Sequence, residues 1–291
     1  GQKFGDKRAT KIKNIELVEV SAEDFIEDET AFIVLSKNGW IRKFKSEIDP
    51  NALKFRENDS LLNIARANTK DLLSIFTTSG MCYVQRAFNL QYTRGGFGEP
   101  IQNIFKFNDG EKPLRLLSLN PGELAAEIGR NLSTFSKDSK QASLEFDNTG
   151  NAEALITSDS GYGYRFSLSN LSETNKSGRK IITLKEGERM ASFSLIRANN
   201  VFMATDLGKG LMIPLDQITV LSSAGRGVKL INIGKGKLIG LLSANGNEKA
   251  SIEFTDGTVK QIDLKDVPVY NRGSMGIIIS KRKRITNITL S

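Results

Sequence analysis

The sequence predicts an all-β protein, a radial array of about five four-stranded units. Three observations carry this expectation. The first is a recurring pattern of an apolar strand, a polar turn containing Gly and a second strand. It reads AFIVLSKNGWIRKF at Ala31–Phe44, LLSIFTTSGMCYV at Leu72–Val84, EALITSDSGYGYRF at Glu153–Phe166, VFMATDLGKGLMIPL at Val201–Leu215 and ASIEFTDGTVKQIDL at Ala250–Leu264. Its turn glycines are Gly39, Gly80, Gly161, Gly208 and Gly257, placed where a tight hairpin needs positive φ. The second is their spacing, at intervals of 41, 81, 47 and 49 residues. Three intervals fit one blade of a radial β-array. The third is the abundance of period-two segments with only 6 Pro in the chain.

Taken in order, Lys11–Val20 is a candidate strand that would close the array, and the acidic run Glu23–Glu29 reads as a solvated connection to the first hairpin. Residues 1–30 thus form an N-terminal connection and 31–291 the β domain. The first hairpin is followed by NALKFRENDS (Asn51–Ser60), basic but without Gly. The later hairpins are followed by loops that join flexible residues to Arg or Lys: Tyr92–Pro100, Thr174–Ile181, Ser222–Leu230 and Tyr270–Ile277. Each leads into an apolar segment expected to be a returning strand: Ile101–Phe105, Ile181–Leu184, Leu230–Ile233 and Ile277–Ile279. The long interval is read as an insertion near 121–150. It begins with GELAAEIGRNL, a short helix, and continues as a polar stretch, Ser133–Gly150, that suits a surface excursion. Lys281–Leu290 closes the chain as a strand.

Composition narrows the chemistry. The 291 residues contain no His and one Cys, Cys82. Ser-His-Asp triads, His-ligated metals, CxxC sites and internal disulfides are therefore excluded, and the lone thiol suits a reducing compartment. No apolar run approaches the ~18 residues of a membrane span. The chain opens on Gly1 without a signal-peptide pattern and is read as a piece of a longer protein. Its net charge is +8, and 12 Lys/Arg against 5 Asp/Glu fall between Thr219 and Ser291. Such an asymmetric field concentrates a polyanion near one face. Any single surface cation can be explained by solubility alone. Cations at equivalent loops of a radial array, however, line up on one rim, where they can hold a duplex by its phosphates with little regard to sequence.

These residues resemble a known family. LSKNGWIRKFKSEIDPNALKFRENDSLL, TTSGMCYV, RGGFGEPI, DSGYGYRF, KSGRKIITL, GKGLMIPL and SAGRGVKLINI resemble the C-terminal domain of the bacterial topoisomerase IV A subunit. GDKRAT (Gly5–Thr10) is similar to the end of the helical part of type IIA topoisomerase A subunits. The resemblance runs from about Gly5 to Asn287, apart from Pro121–Gly150. It implies a β-pinwheel, a propeller-like disc of hairpin-invading blades that binds and bends double-stranded DNA on a basic rim. In the holoenzyme such a domain helps select DNA segments for decatenation, relaxation and chromosome segregation. The related gyrase A domain wraps DNA and carries a QRRGGKG-type box in the loop of its first blade. Here NALKFRENDS stands in that loop, and TRGGFGEP, one blade later in sequence, holds a single Arg. This favours a topoisomerase IV-type subunit over gyrase-style wrapping. The resemblance further implies a fragment with no catalytic residue, metal or cofactor of its own. Its holoenzyme would use ATP and Mg2+, assemble with B subunits as an A2B2 tetramer, and act on the nucleoid in the cytoplasm.

The candidate phosphate contacts are Arg94, Arg179, Arg226 and Arg272 in the repeated loops, with Lys176, Lys180 and Lys229 in support. Arg42, Lys43 and Lys45 on the first hairpin, with Lys54 and Arg56 in its loop, form a candidate first-blade patch. The run Lys281, Arg282, Lys283, Arg284 is either a DNA contact or a charged edge that blocks sheet-to-sheet aggregation. Trp40 and Tyr83 read as packing residues and Cys82 as an inert core thiol. A propeller used as a protein-interaction platform is the rival of another class, since fold alone does not decide function. The missing His and metal clusters argue against a propeller-type hydrolase.

Overall fold

The computed structural model describes residues 26–129 and 152–291. The candidate closing strand Lys11–Val20, the GDKRAT segment and the polar part of the insertion lie outside the described residues. In chain order the strands are β1 (Thr30–Ser36), β2 (Trp40–Phe44), β3 (Leu61–Asn68), β4 (Leu72–Thr77), β5 (Met81–Arg86), β6 (Glu99–Pro100) and β7 (Pro113–Ser118). The helix α1 (Pro121–Gly129) opens the insertion as expected. There follow β8 (Glu153–Ser158), β9 (Tyr162–Ser167), β10 (Arg179–Lys180), β11 (Met190–Leu195), β12 (Asn200–Thr205) and β13 (Lys209–Pro214). The last are β14 (Val228–Lys229), β15 (Leu238–Ala244), β16 (Lys249–Phe254), β17 (Val259–Asp263), β18 (Ile277–Ile278) and β19 (Ile285–Leu290).

All five expected hairpins form, as β1–β2, β4–β5, β8–β9, β12–β13 and β16–β17. Each is completed by a third strand against its first: β3, β7, β11, β15 and β19. Third strands of successive blades touch one another, so they lie where the blades converge. The fourth, outermost strand is the two-residue β6, β10, β14 or β18. It comes from the loop after the next hairpin and pairs with the second strand of the preceding blade. The loop that follows each of the later hairpins in sequence thus reaches back one blade in space. The expected returning strands are corrected. Ile101–Asn103 is a 3-10 turn, and Ile181–Leu184 and Leu230–Ile233 lie outside the strands; of the expected strand Ile277–Ile279 only Ile277–Ile278 forms, as β18. They are apolar because Ile101, Ile182, Leu230 and Ile231 plug the gaps between blades, where each is fully buried.

Four apolar clusters fill the gaps between consecutive blades. A middle blade buries both faces, so its strands read as continuous apolar runs. In β12, Val201 and Met203 pack toward the third blade while Phe202 and Ala204 pack toward the fifth. The fifth blade buries one face. In β16, Ala250, Ile252 and Phe254 are inside and Lys249, Ser251 and Glu253 are not, a period-two strand at the end of the array. The first blade ends differently. Phe32 pairs with Phe44, and Val34 with Arg42, on the face away from the second blade. The Glu47–Phe55 segment covers that face, with Ile48 and Pro50 near Phe32, and Phe55 against Arg42. This explains why the first loop lacks Gly: it roofs its own blade instead of docking on a preceding one.

Helix α1 is capped by Asn120, whose Oδ1 accepts from the Gly122 and Glu123 amides at 2.9 and 3.3 Å, with Pro121 at its first position. Leu124 and Ile128 enter the core between the second and third blades. The ion pairs Glu123–Arg66 and Glu127–Arg115 tie the helix to the inner strands beside a polar cavity of about 540 Å³.

Candidate nucleic-acid interface

The four loops that reach back are built alike. The carbonyl of the hairpin-turn glycine accepts from the loop: Gly39 from Ile101 at 2.8 Å, Gly80 from Ile181 at 2.9 Å, Gly161 from Leu230 at 2.8 Å and Gly208 from Ile279 at 2.8 Å. Four residues past each turn glycine a second carbonyl accepts. Lys43 takes the Thr93 amide, Val84 that of Thr174, Arg165 that of Leu221 and Met212 that of Tyr270, at 2.8–2.9 Å. Between these anchors a loop glycine presses on the blade. A Cβ on Gly227 would stand 2.0 Å from the Gly163 oxygen, and one on Gly276 would stand 2.1 Å from that of Gly210. Both have positive φ, as do Gly98 and Gly178 at the same place. These glycines therefore serve docking. The repeated motif is G-x-x-[IL] (GEPI, GRKI, GVKL, GIII), a signal present in the sequence that loop-by-loop reading missed.

This construction places the loop cations on the outer edge of successive blades. Arg94 sits on the first, Lys176, Arg179 and Lys180 on the second, Arg226 and Lys229 on the third, and Arg272 on the fourth. Arg94, Lys176, Lys180 and Arg272 are exposed and form no ion pair among the described residues. Arg179 is half-buried and donates to the Asn170 carbonyl at 2.7 Å; Lys229 is half-buried. Arg226 departs from the expectation. Its guanidinium donates to both Glu188 oxygens at 2.7 and 2.9 Å and lies 4.2 Å from the Tyr162 ring centroid. Burial would raise the Glu188 carboxyl, but hydrogen bonds from Arg226, the Lys185 amide and Ser160 overcome it and hold the group at about 2. Arg226 is thus a staple between its loop and the Lys185–Arg189 turn.

The first-blade patch is corrected. Arg42 is buried, its guanidinium 5.0 Å from the Phe55 ring centroid and 5.9 Å from that of Phe44. Lys43 is buried in the first interblade gap, where Nζ donates to the Ala87 and Leu90 carbonyls at 2.9 and 3.2 Å. Burial pushes both cations below their ordinary pKa. Hairpin alternation hides them, since Arg42 points to the roofed face and Lys43 to the second blade. Lys45 is exposed but pairs with Glu29 at 3.0 Å. Lys54 and Arg56 are exposed, and Arg56 stacks 3.7 Å above the Trp40 ring centroid. The loop Tyr92–Pro100 docks here as well, so TRGGFG belongs to the first blade in space although it follows the second hairpin in sequence.

The KRKR run precedes the inner strand β19 and lies outside the strands. Lys283 pairs with Asp256 at 2.7 Å and Arg284 with Asp206 at 3.1 Å, both on hairpin turns, while Lys281 and Arg282 are exposed. Equivalent positions before β7, β11 and β15 carry Lys112, Arg189 and Lys237, all exposed, a set that the sequence reading left out. Lys237 pairs with Asp159 at 3.1 Å. Cys82 and Tyr83 are fully buried, as expected of packing residues, and burial drives the Cys82 thiol far above its usual range. No helix among the described residues is long and apolar enough to cross a membrane.

Back-reaching outer strands, interblade cores and a cationic outer edge define a β-pinwheel of the propeller class. The family profile described as "DNA gyrase C-terminal domain, beta-propeller" matches residues 152–197, 199–245 and 255–286. The DNA gyrase A subunit of Buchnera aphidicola subsp. Baizongia pistaciae is 24% identical over 324 residues, covering 97% of this chain and 38% of that protein. The DNA topoisomerase 4 A subunit of Salmonella typhimurium is 27% identical over 234 residues, covering 79% of this chain and 27% of that protein. Among solved structures, a C-terminal domain of DNA topoisomerase IV superposes with a TM-score of 0.71 at 18% identity, covering 91% of this chain and 79% of that one. The E. coli ParC C-terminal domain gives 0.65 at 23% identity, covering 90% and 99%. The chain is thus similar to the C-terminal domains of gyrase and topoisomerase IV A subunits in sequence, and to that of topoisomerase IV in fold. It spans little more than a third of the length of the gyrase relative and about a quarter of the topoisomerase one.

Proposed function

We propose that this domain binds duplex DNA along its rim as the accessory DNA-managing part of a topoisomerase IV-type A subunit. The observation that carries this is the exposed set Arg94, Lys176, Lys180 and Arg272, delivered to one edge by three of the four equivalent loops. Exposed Lys54 extends it on the first blade. Phosphate contacts from such a track need no base reading, which suits a domain that handles DNA segments by geometry. The first-blade rim loop supports the topoisomerase IV assignment over gyrase, because it reads TRGGFG, with one Arg where a gyrase box has more. On this reading the fragment is non-catalytic and needs neither ATP nor Mg2+. Strand cleavage and ATP hydrolysis belong to the rest of an A2B2 holoenzyme acting on the nucleoid in the cytoplasm.

The test is duplex binding by this chain across a salt series. If these five cations each neutralise one phosphate, log K falls with log salt at a slope near −4.5, at about 0.9 per contact. Replacing Arg94, Lys176, Lys180 and Arg272 with Ala should flatten the slope to about −0.9. An unchanged slope would remove these residues from the interface. Salt-insensitive association with a protein partner would favour the platform reading. In the holoenzyme, decatenation without supercoiling is expected, and ATP-dependent negative supercoiling would transfer the assignment to gyrase.

A further inference from the structure

The rim loops differ at their tips. The residue just before each docking glycine is Phe97, Ser177, Arg226 or Met275, from the first blade to the fourth. The two end loops share one motif, Arg-Gly-x-apolar-Gly: Arg94-Gly95-Gly96-Phe97-Gly98 and Arg272-Gly273-Ser274-Met275-Gly276. Phe97 is 40% and Met275 47% exposed. A single exposed apolar side chain is ordinary and needs no explanation. Two at the same position of the same motif, each three residues after an exposed Arg, on loops docked by identical hydrogen bonds, are a repeated feature. Phe97 also has a cation beside it. The Arg56 guanidinium lies 5.7 Å from its ring centroid and 3.7 Å from that of Trp40. The contact keeps a charge beside a partly exposed ring. The middle loops, with Ser177 and the ion-paired Arg226, have no such tip.

We propose that Phe97 and Met275 are a pair of wedges that enter base steps of the bound duplex at the two ends of the basic rim, kinking it there. The inference rests on the rim binding DNA and adds how that DNA is bent. Phe and Met are side chains that proteins insert between base steps from the minor groove, each insertion kinking the duplex by ~20–90°. The adjacent Arg94 and Arg272 supply the phosphate contacts that offset unstacking. Between the wedges, the second- and third-blade loops carry only polar tips and hold the backbone without entering the stack. Flexible pyrimidine–purine steps at the wedge positions would be preferred, since they unstack most readily.

The experiment compares this chain with its Phe97→Ser, Met275→Ser double variant. One measurement is the bend of an end-labelled duplex by energy transfer; another is the fluorescence of 2-aminopurine placed at successive steps. At saturation the wild type should brighten 2-aminopurine at two separated sites. The double variant should lose both signals and at least ~20° of bend per wedge, with its salt slope unchanged. An Arg94→Ala, Arg272→Ala variant should show the reverse, a slope flatter by about 1.8 with residual brightening. Wild-type and variant complexes equal in bend and 2-aminopurine signal, with a normal salt slope, would overturn the wedges and leave rim binding standing. Absence of any salt-dependent duplex binding by the wild type would overturn the rim reading and the wedges with it.

Discussion

Replacing Gly276 with Ala tests the way the rim is held. The residue has φ +71, and its added Cβ would lie 2.1 Å from the Gly210 oxygen and 2.8 Å from the carbonyl carbon. Neither is the end of a flexible side chain, so the loop has to lift from β13. The left-handed conformation costs a non-Gly residue about 1–2 kcal/mol. Lifting also breaks the Ile279 and Ser280 amide bonds to Gly208, at 2.8 and 3.1 Å, each with a net value of about 1 kcal/mol. The total is about 3–4 kcal/mol of local stability. Gly273 is the internal control. Its φ is +81, but the nearest atom to its added Cβ is 4.0 Å away, so Ala there meets only the conformational cost. The two variants should therefore differ by about 2 kcal/mol, or roughly 30-fold in opening, which hydrogen exchange at the Ile279 and Ser280 amides measures directly. Gly98→Ala against Gly96→Ala repeats the comparison on the first blade, with 2.2 Å to the Ile41 oxygen in one and nothing within 4 Å in the other. Equal exchange in each pair would show that these glycines are kept for φ alone and that close docking does not hold the rim.

Two further outcomes follow from the buried and paired cations. Lys43→Ala should cost about 3 kcal/mol in urea unfolding, because two interblade carbonyls lose their donor and a cavity opens, while the salt slope for DNA stays unchanged; Lys45→Ala should cost under ~1 kcal/mol. Glu188 is held at about 2 in the fold, below the ordinary carboxylate value of 4.5. Its contribution is therefore fully present above about pH 4.5 and lost as pH falls toward 2, so Glu188→Gln should remove a component of the acid-induced drop in the denaturation midpoint; an identical acid profile would refute the pair's role.

The blade count and hairpin positions were legible because the signal is local. A turn glycine between two apolar strands is specified within fifteen residues, and all five such glycines take positive φ. The rim was legible in part. The loops stood out by composition, but nothing local says that Gly276 meets Gly210, across a chain separation that includes the whole fifth hairpin. The same blindness affected the cations. Arg42 and Lys43 look like Lys45 in a linear reading, yet strand alternation sends Arg42 under the roof and Lys43 into a core, while Lys45 lies past the end of β2 in solvent. The end of the array was legible in principle, since ASIEFT alternates where the middle strands are apolar throughout.

Backward docking also determines how long the rim can be. Each outer strand is donated by the loop after the next hairpin, so among the described residues five hairpins yield four rim loops and β17 has a strand partner on one side only. Its other edge is guarded in the usual manner, by a charge on it: Lys260 is exposed beside Val259, itself 62% exposed. Among the described residues the rim therefore runs from the first blade to the fourth, with an Arg-bearing apolar tip at either end. Lengthening the track requires another hairpin, because a loop without a blade behind it has no turn-glycine carbonyl to bind. The first loop illustrates this limit. With no blade before it among the described residues, Asn51–Ser60 dispenses with glycine, folds over its own sheet and contributes Arg56 to the rim through Trp40 instead of through an outer strand.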